Sequence, residues 1–182
     1  MKIVLPKIIV WIEKLLFEYR QSAVSVKSLN LSNLPKYFND GLLTNTKVVF
    51  IDKVPMPPLI EYGLTDTNIV NFEKLNAYGI TFKDTYFINS NFAKDESLHF
   101  HELVHVIQWS YLGVKKFLSL YAIGLLKYGY EKCPLELMAY NLQQDFIDNM
   151  EIKGLEAVIV HEVESILNDL TEEEIRMVEG EK

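Results

Sequence analysis

Asp95-Glu-Ser-Leu-His-Phe-His-Glu-Leu-Val-His-Val-Ile-Gln-Trp-Ser-Tyr111, followed by Leu112-Gly113, is the stretch on which the reading of the chain turns. Asp95 is a helix N-cap, because its short carboxylate can accept from the first free backbone N–H groups, and Gly113 is a natural stop. Between them Leu98, Leu103, Val104 and Ile107 surround a polar trio with apolar neighbours, which predicts a buried helix ending at about Tyr111. Each helical residue turns the chain by about 100°, so His101 and His105 project from one face a turn apart. Two imidazoles placed this way can grip one cation.

Downstream the pattern stays helical. Val114 to about Leu126 is rich in Leu, Phe and Tyr and predicts a second helix packed beside the first. Pro134 opens a helix running to about Met150, another begins near Gly154, and Thr171-Glu-Glu-Glu174 is a capping box that starts a short terminal helix. Upstream, Lys47-Val-Val-Phe-Ile-Asp52 is β-branched and apolar and is stopped by Pro55, Pro57 and Pro58, so it reads as a strand. Asp66 or Thr67 caps a helix through about Tyr78. Gly79–Phe82 and Thr85–Ile88, separated by Lys83-Asp84, read as a hairpin, and Asn39-Asp40-Gly41 as a turn. Ile8, Ile9, Ile12, Leu15 and Leu16 make the N-terminal segment an amphipathic helix that packs on the body of the domain, with membrane-surface or partner binding as its second reading. The expectation is one domain over residues 1–182, α+β and mostly helical, with a small sheet beside the helix of His101 and a cleft between that helix and the one opened by Pro134.

Composition narrows the classes of function. The 182 residues are 49% hydrophobic and 24% charged, values of a globular protein. A net charge of −7 without clustered Lys and Arg argues against nucleic acid as a partner. The one cysteine, Cys133, rules out an intrachain disulfide and a thiolate-rich zinc cage and points to a reducing cytoplasm. Lys7, Glu13 and Lys14 interrupt the apolar N-terminus, so it reads neither as a signal peptide nor as a stable membrane span.

Glu102 lies close to the histidine face but displaced around the helix, a placement that suits a general base reaching a metal-activated water. A catalytic zinc site takes three protein ligands, so a third is needed. Glu136 falls in the first turn of the helix opened by Pro134, where the dipole and free backbone donors favour an ionised, ligating carboxylate, and the small Ala139 on the same side allows close helix approach. Glu131 is the reserve ligand.

The pair His101-Glu102-x-x-His105 with Glu136-x-x-Ala139 resembles the gluzincin branch of zinc metallopeptidases. The wider run from Leu98 to Trp109, with Leu112-Gly113 and Pro134-Leu-Glu136, looks like a group of small bacterial gluzincin-like domains. The resemblance covers roughly residues 80–139. It implies zinc bound by His101, His105 and Glu136, Glu102 as catalytic acid/base, a peptide or protein substrate, and a strand above the motif helix that pairs with it, for which Thr85–Ile88 is the candidate by order along the chain. Tyr128, Tyr130, Tyr140 and His161 are the available oxyanion donors. His99, about 200° around the helix from His101, reads as a packing residue, as do Gln108 and Trp109. Two other readings stand beside a peptidase: a non-catalytic zinc-binding or interaction protein that keeps the fold, and a hydrolase of non-peptide amides.

Overall fold

The computed structural model describes residues 4–179. The elements in order are α1 (Val4–Tyr19), β1 (Val24–Ser25), α2 (Asp40–Asn45), β2 (Lys47–Ile51), α3 (Thr67–Glu73), β3 (Gly79–Phe82), β4 (Thr85–Asn89), α4 (Glu96–Tyr128), α5 (Pro134–Ile147), α6 (Leu155–Asn168) and α7 (Glu172–Glu179). The fold is α+β and mostly helical, with one four-stranded mixed sheet of order β1-β2-β4-β3. β2 and β4 run parallel, and β1 and β3 join antiparallel at the two edges.

Successive residues of a strand face opposite sides, and here the two sides meet different helices. Phe82 and Phe87 meet Trp11 and Tyr19 of α1 edge-on, at ring distances of 5.4 Å each. Thr81 and Tyr86 instead hydrogen-bond Glu102 and His99 of α4. The sheet is thus sandwiched between α1 and α4. α4 in turn packs on α5 and α6, which explains why its residues from His99 to Trp109 are all buried. That stretch keeps no solvent face, and the apolar flanks seen in the sequence are the wall of a core. Asp95 caps it, Oδ1 accepting from the Ser97 and Leu98 amides at 3.0 and 3.3 Å.

At Gly113 the helix breaks, with φ 69° and ψ 167°, a backbone region essentially reserved for glycine. Trp109 and Phe117 stack across the break at 4.0 Å. The expected pair of helices is therefore present, folded on each other through one glycine. The capping box at Thr171 also forms, Glu174 accepting from the Thr171 amide at 2.8 Å and Thr171 Oγ1 from the Glu174 amide at 3.3 Å.

Three local expectations need correction. Asn39 starts a helix rather than a turn: its side chain accepts from the Leu42 amide at 2.8 Å and caps α2, a role the same residue type fills as readily. α3 stops at Glu73 rather than near Tyr78, because residues 75–78 unwind to enter β3. β4 is hydrogen-bonded on both sides, so Thr85–Ile88 has no free edge to offer a substrate; the free edge on this side of the sheet belongs to β3. No helix among the described residues is long and apolar enough to cross a membrane.

Candidate metal centre

His101 and His105 sit on the buried face of α4, and Glu136 enters from the first turn of α5. Two small residues permit this approach. Ala139 is fully buried, and a Cβ on Gly124 would stand 2.7 Å from Cys133 Sγ at the start of α5. The two imidazole Nε2 atoms lie 3.1 Å apart, Glu136 Oε2 is 3.4 Å from that of His101, and Oε1 is 3.3 Å from that of His105. All three donor atoms fall within 4.8 Å of one another, and the residues are 4–5% exposed.

The outer hydrogen bonds determine which ring nitrogen is free. Gln108 Nε2 donates to the Leu135 carbonyl at 3.1 Å, which turns Oε1 toward His105 Nδ1, 2.8 Å away. Nδ1 of His105 therefore carries the proton, and its Nε2 lone pair points inward. Gln143 Oε1 does the same for His101 Nδ1 at 3.2 Å while its Nε2 donates to Ser97 Oγ at 3.3 Å. Tyr121 Oη donates to Glu136 Oε1 at 2.7 Å, and Oε2 has no hydrogen-bond partner among the described residues. Two ring nitrogens and a carboxylate oxygen thus converge in a buried pocket, a donor set that could hold a cation.

The electrostatics agree. Burial alone would lower His105, yet the carboxylate of Glu136 raises it to about 9. Burial would raise Glu136, yet His105 and His101 hold it well below the usual carboxylate range. The two shifts are reciprocal: the Glu136 carboxylate favours positive charge on His105, and the imidazoles favour negative charge on Glu136.

Glu102 is 3% exposed and lies against the backbone of β3, where a Cβ on Gly79 would stand 2.2 Å from its Oε1. Any side chain there would displace the Glu102 carboxylate. Thr81 Oγ1 donates to Glu102 Oε2 at 2.6 Å. Burial raises the Glu102 pKa against the opposing pull of His101 and His105, as suits a group that takes up and returns a proton.

Of the oxyanion candidates, two stand near the cluster. The Tyr140 ring is 4.6 Å from that of His101, and its hydroxyl lies 3.1 Å from that of Tyr130, which burial keeps protonated. Tyr128 is half exposed, and His161 lies on the exposed side of α6; neither lines the cavity at the cluster. The reserve ligand Glu131 is exposed and outside the cluster. Cys133 is buried, with its thiol pushed up to about 12 by burial, so it offers no thiolate. His99 points to the sheet, donating through Nε2 to the Ala93 carbonyl at 3.0 Å and accepting at Nδ1 from Tyr86 Oη at 2.7 Å.

Sequence reasoning treated Gln108 as packing and overlooked Gln143, Tyr121 and Thr81. Gln108 had a usable signal, three residues after His105 on the same helical side, and so had Gln143, seven after Glu136. Tyr121 and Thr81 had none, since one lies beyond the Gly113 break and the other on a strand. No protein-family model matches the chain, and no curated protein or solved structure matches it.

Proposed function

We propose that the chain binds one zinc ion through His101, His105 and Glu136 and hydrolyses peptide bonds, with Glu102 as general base. The observation that carries this reading is the convergence of three buried donor atoms whose outer hydrogen bonds leave their lone pairs directed inward, beside a fourth, separately held carboxyl group. Two imidazole nitrogens and one carboxylate on facing helices are a donor set that suits zinc. Bound there, zinc supplies Lewis acidity that polarises a carbonyl and brings the pKa of a water toward neutrality.

The remaining work belongs to the chain. Glu102, oriented by Thr81 and the bare backbone of Gly79, accepts the proton of the attacking water and returns it to the leaving amine. Tyr130 or Tyr140 donates a hydrogen bond to the developing oxyanion. β3 supports an extended peptide as substrate. The Asn89 amide donates to the Tyr78 carbonyl, so alternation turns the backbone groups of Ile80 and Phe82 toward β4 and those of Gly79 and Thr81 toward the outer edge. The one cysteine, free and buried, fits a reducing compartment such as the cytoplasm.

The test is metal content together with hydrolysis. Wild type should hold one zinc per chain, Glu136→Ala should hold less, and Glu102→Gln should keep the metal while losing hydrolysis of a quenched-peptide panel. Metal retained with no cleavage by wild type would assign the site to binding or structure. No metal after zinc addition would sink the reading and leave a buried His-Glu-His ion-pair cluster.

A further inference from the structure

Asn89, the last residue of β4, holds two distant points of the chain at once. Its Nδ2 donates to the Asp52 carbonyl at 2.7 Å, and its amide to the Tyr78 carbonyl at 2.8 Å. Residues 53–77 therefore leave and rejoin the sheet at one clasp. Pro55, Pro57 and Pro58 bring no N–H donor to the start of this segment, so it cannot prolong β2 as a paired strand. Its own bonds turn inward instead. The Leu64 amide donates to the Leu59 carbonyl at 3.0 Å, and the Ile60 amide donates to Glu73 Oε2 at 2.6 Å, which ties the first turn to the end of α3. Among the described residues, one hydrogen bond crosses from between the clasped ends to the rest of the protein: Asn68 Nδ2 donates to the Leu126 carbonyl at 3.3 Å.

The apolar contacts follow the same division. Among the described residues none of the segment joins the main core; Leu59, Ile69 and Phe72 form a small separate cluster with Leu125. Phe72 rests against the rings of Tyr121 and Tyr130, 5.7 and 5.8 Å away. Tyr121 bonds Glu136, and Tyr130 bonds Tyr140 beside His101. The segment thus sits on two tyrosines that reach the metal cluster. Between them is a cavity of about 110 Å³, whose lining Met56, Leu64 and Phe72 share with His101, Glu102, His105 and Glu136. With His101 4% and His105 5% exposed, a peptide cannot reach an ion held between them while the segment is down.

We propose that residues 53–77 are a lid, hinged at the Asn89 clasp, that lifts as one unit to admit substrate and on closing returns Phe72 to Tyr121 and Tyr130. A closed loop with a small core of its own can open while the sheet and α4 stay folded, because only the Asn68 bond and that small cluster must part. The proposal rests on the peptidase reading for what the opening admits, but its test reads access alone.

The full-length chain, after chelation so that no metal shields the ligands, is treated with diethyl pyrocarbonate, which acylates accessible imidazoles. Tandem mass spectrometry gives the rate at each histidine. His161, exposed on α6, reports open access, and His99, fully buried against the sheet, reports global unfolding. His101 should react more slowly than His161 and faster than His99. Ile69→Val removes one methyl from the lid's own cluster and should speed His101 about 2- to 10-fold. Asn68→Ala, at an exposed position, should act in the same direction. Ile159→Val, in the main core, should speed His99 and leave His101 at its wild-type rate. His101 reacting as slowly as His99, as fast as His161, or unmoved by both lid variants would overturn the proposal, as would a His101 rate that rises with Ile159→Val. Metal content and cleavage of quenched peptides are scored separately. Lid opening in a chain that cuts nothing would keep the lid and remove the peptidase, whereas cleavage by a chain whose His101 stays shut until global unfolding would do the reverse.

Discussion

Gln108 offers the sharpest test of how the cluster is held. It is fully buried, its Oε1 is 2.8 Å from His105 Nδ1, and its Nε2 bonds the Leu135 carbonyl, one residue from Glu136. One side chain thus fixes the tautomer of one ligand and the backbone beside another. Gln108→Leu keeps the approximate volume but leaves the His105 Nδ1–H unpaired, at about 1–3 kcal/mol, and removes the second bond to the Leu135 carbonyl. Loss of an outer hydrogen bond of this kind lowers metal affinity by about 10- to 100-fold, equivalent to about 1.4–2.8 kcal/mol. Gln143 makes a longer bond of 3.2 Å to His101 from a half-buried position, where water can replace it, so Gln143→Leu should cost less than about 10-fold. Competition with a chromophoric chelator measures both affinities, and circular dichroism verifies that each variant is folded. The reasoning is refuted if Gln108→Leu binds zinc as tightly as wild type, or if Gln143→Leu is the weaker of the two.

Other consequences follow from the same geometry. Gly79→Ala puts a Cβ 2.2 Å from Glu102 Oε1, so the carboxylate must move by roughly 1 Å, a misplacement that can cost about 100-fold in kcat/KM; metal content should stay at the wild-type level, and a variant of unchanged activity would contradict the role of that contact. Gly113→Ala meets no atom within 4 Å, so its whole cost comes from a backbone angle that alanine avoids, about 1–3 kcal/mol, seen as a fall in Tm of about 2–12 °C; a Tm equal to that of wild type would show that the break is not imposed by this glycine. Glu174 is held down to about 2 by its bond to Lys127 and by the Thr171 cap. A carboxylate held below its unfolded value, about 4.3, stabilises at higher pH and loses that contribution as pH falls. Hydrogen exchange in residues 172–176 should therefore quicken relative to α6 between about pH 4 and pH 2, and Lys127→Ala should remove most of that pH dependence.

What could be read from the sequence was whatever a single element encodes. Asp95, Gly113, Pro134 and Thr171 each act on the nearest turn of backbone, and all four mark real boundaries. His101, Glu102 and His105 share one helix, so spacing alone placed them together. Glu136 was reachable because a proline fixes where its helix starts. Asn39 and Thr85–Ile88 were misread for a common reason: their local chemistry fits two roles, and tertiary position decides between them. Whether a strand is central or at the edge depends on which strand pairs beyond it, and β4 became central because β2 pairs with it in parallel, Val49 standing opposite Phe87 about 38 residues later. The same limit hid Thr81 and Tyr121, which reach the site only once the sheet lies on α4 and the helix folds at Gly113. That fold at Gly113 also joins the two halves of the chemistry. A straight helix of this length would carry Tyr121 and Leu125 far along its axis from His105, at about 1.5 Å per residue. Broken, it returns Tyr121 to Glu136 and Leu125 to the cavity wall, so one glycine lets a single run of sequence supply ligands, their support and the surface that faces them.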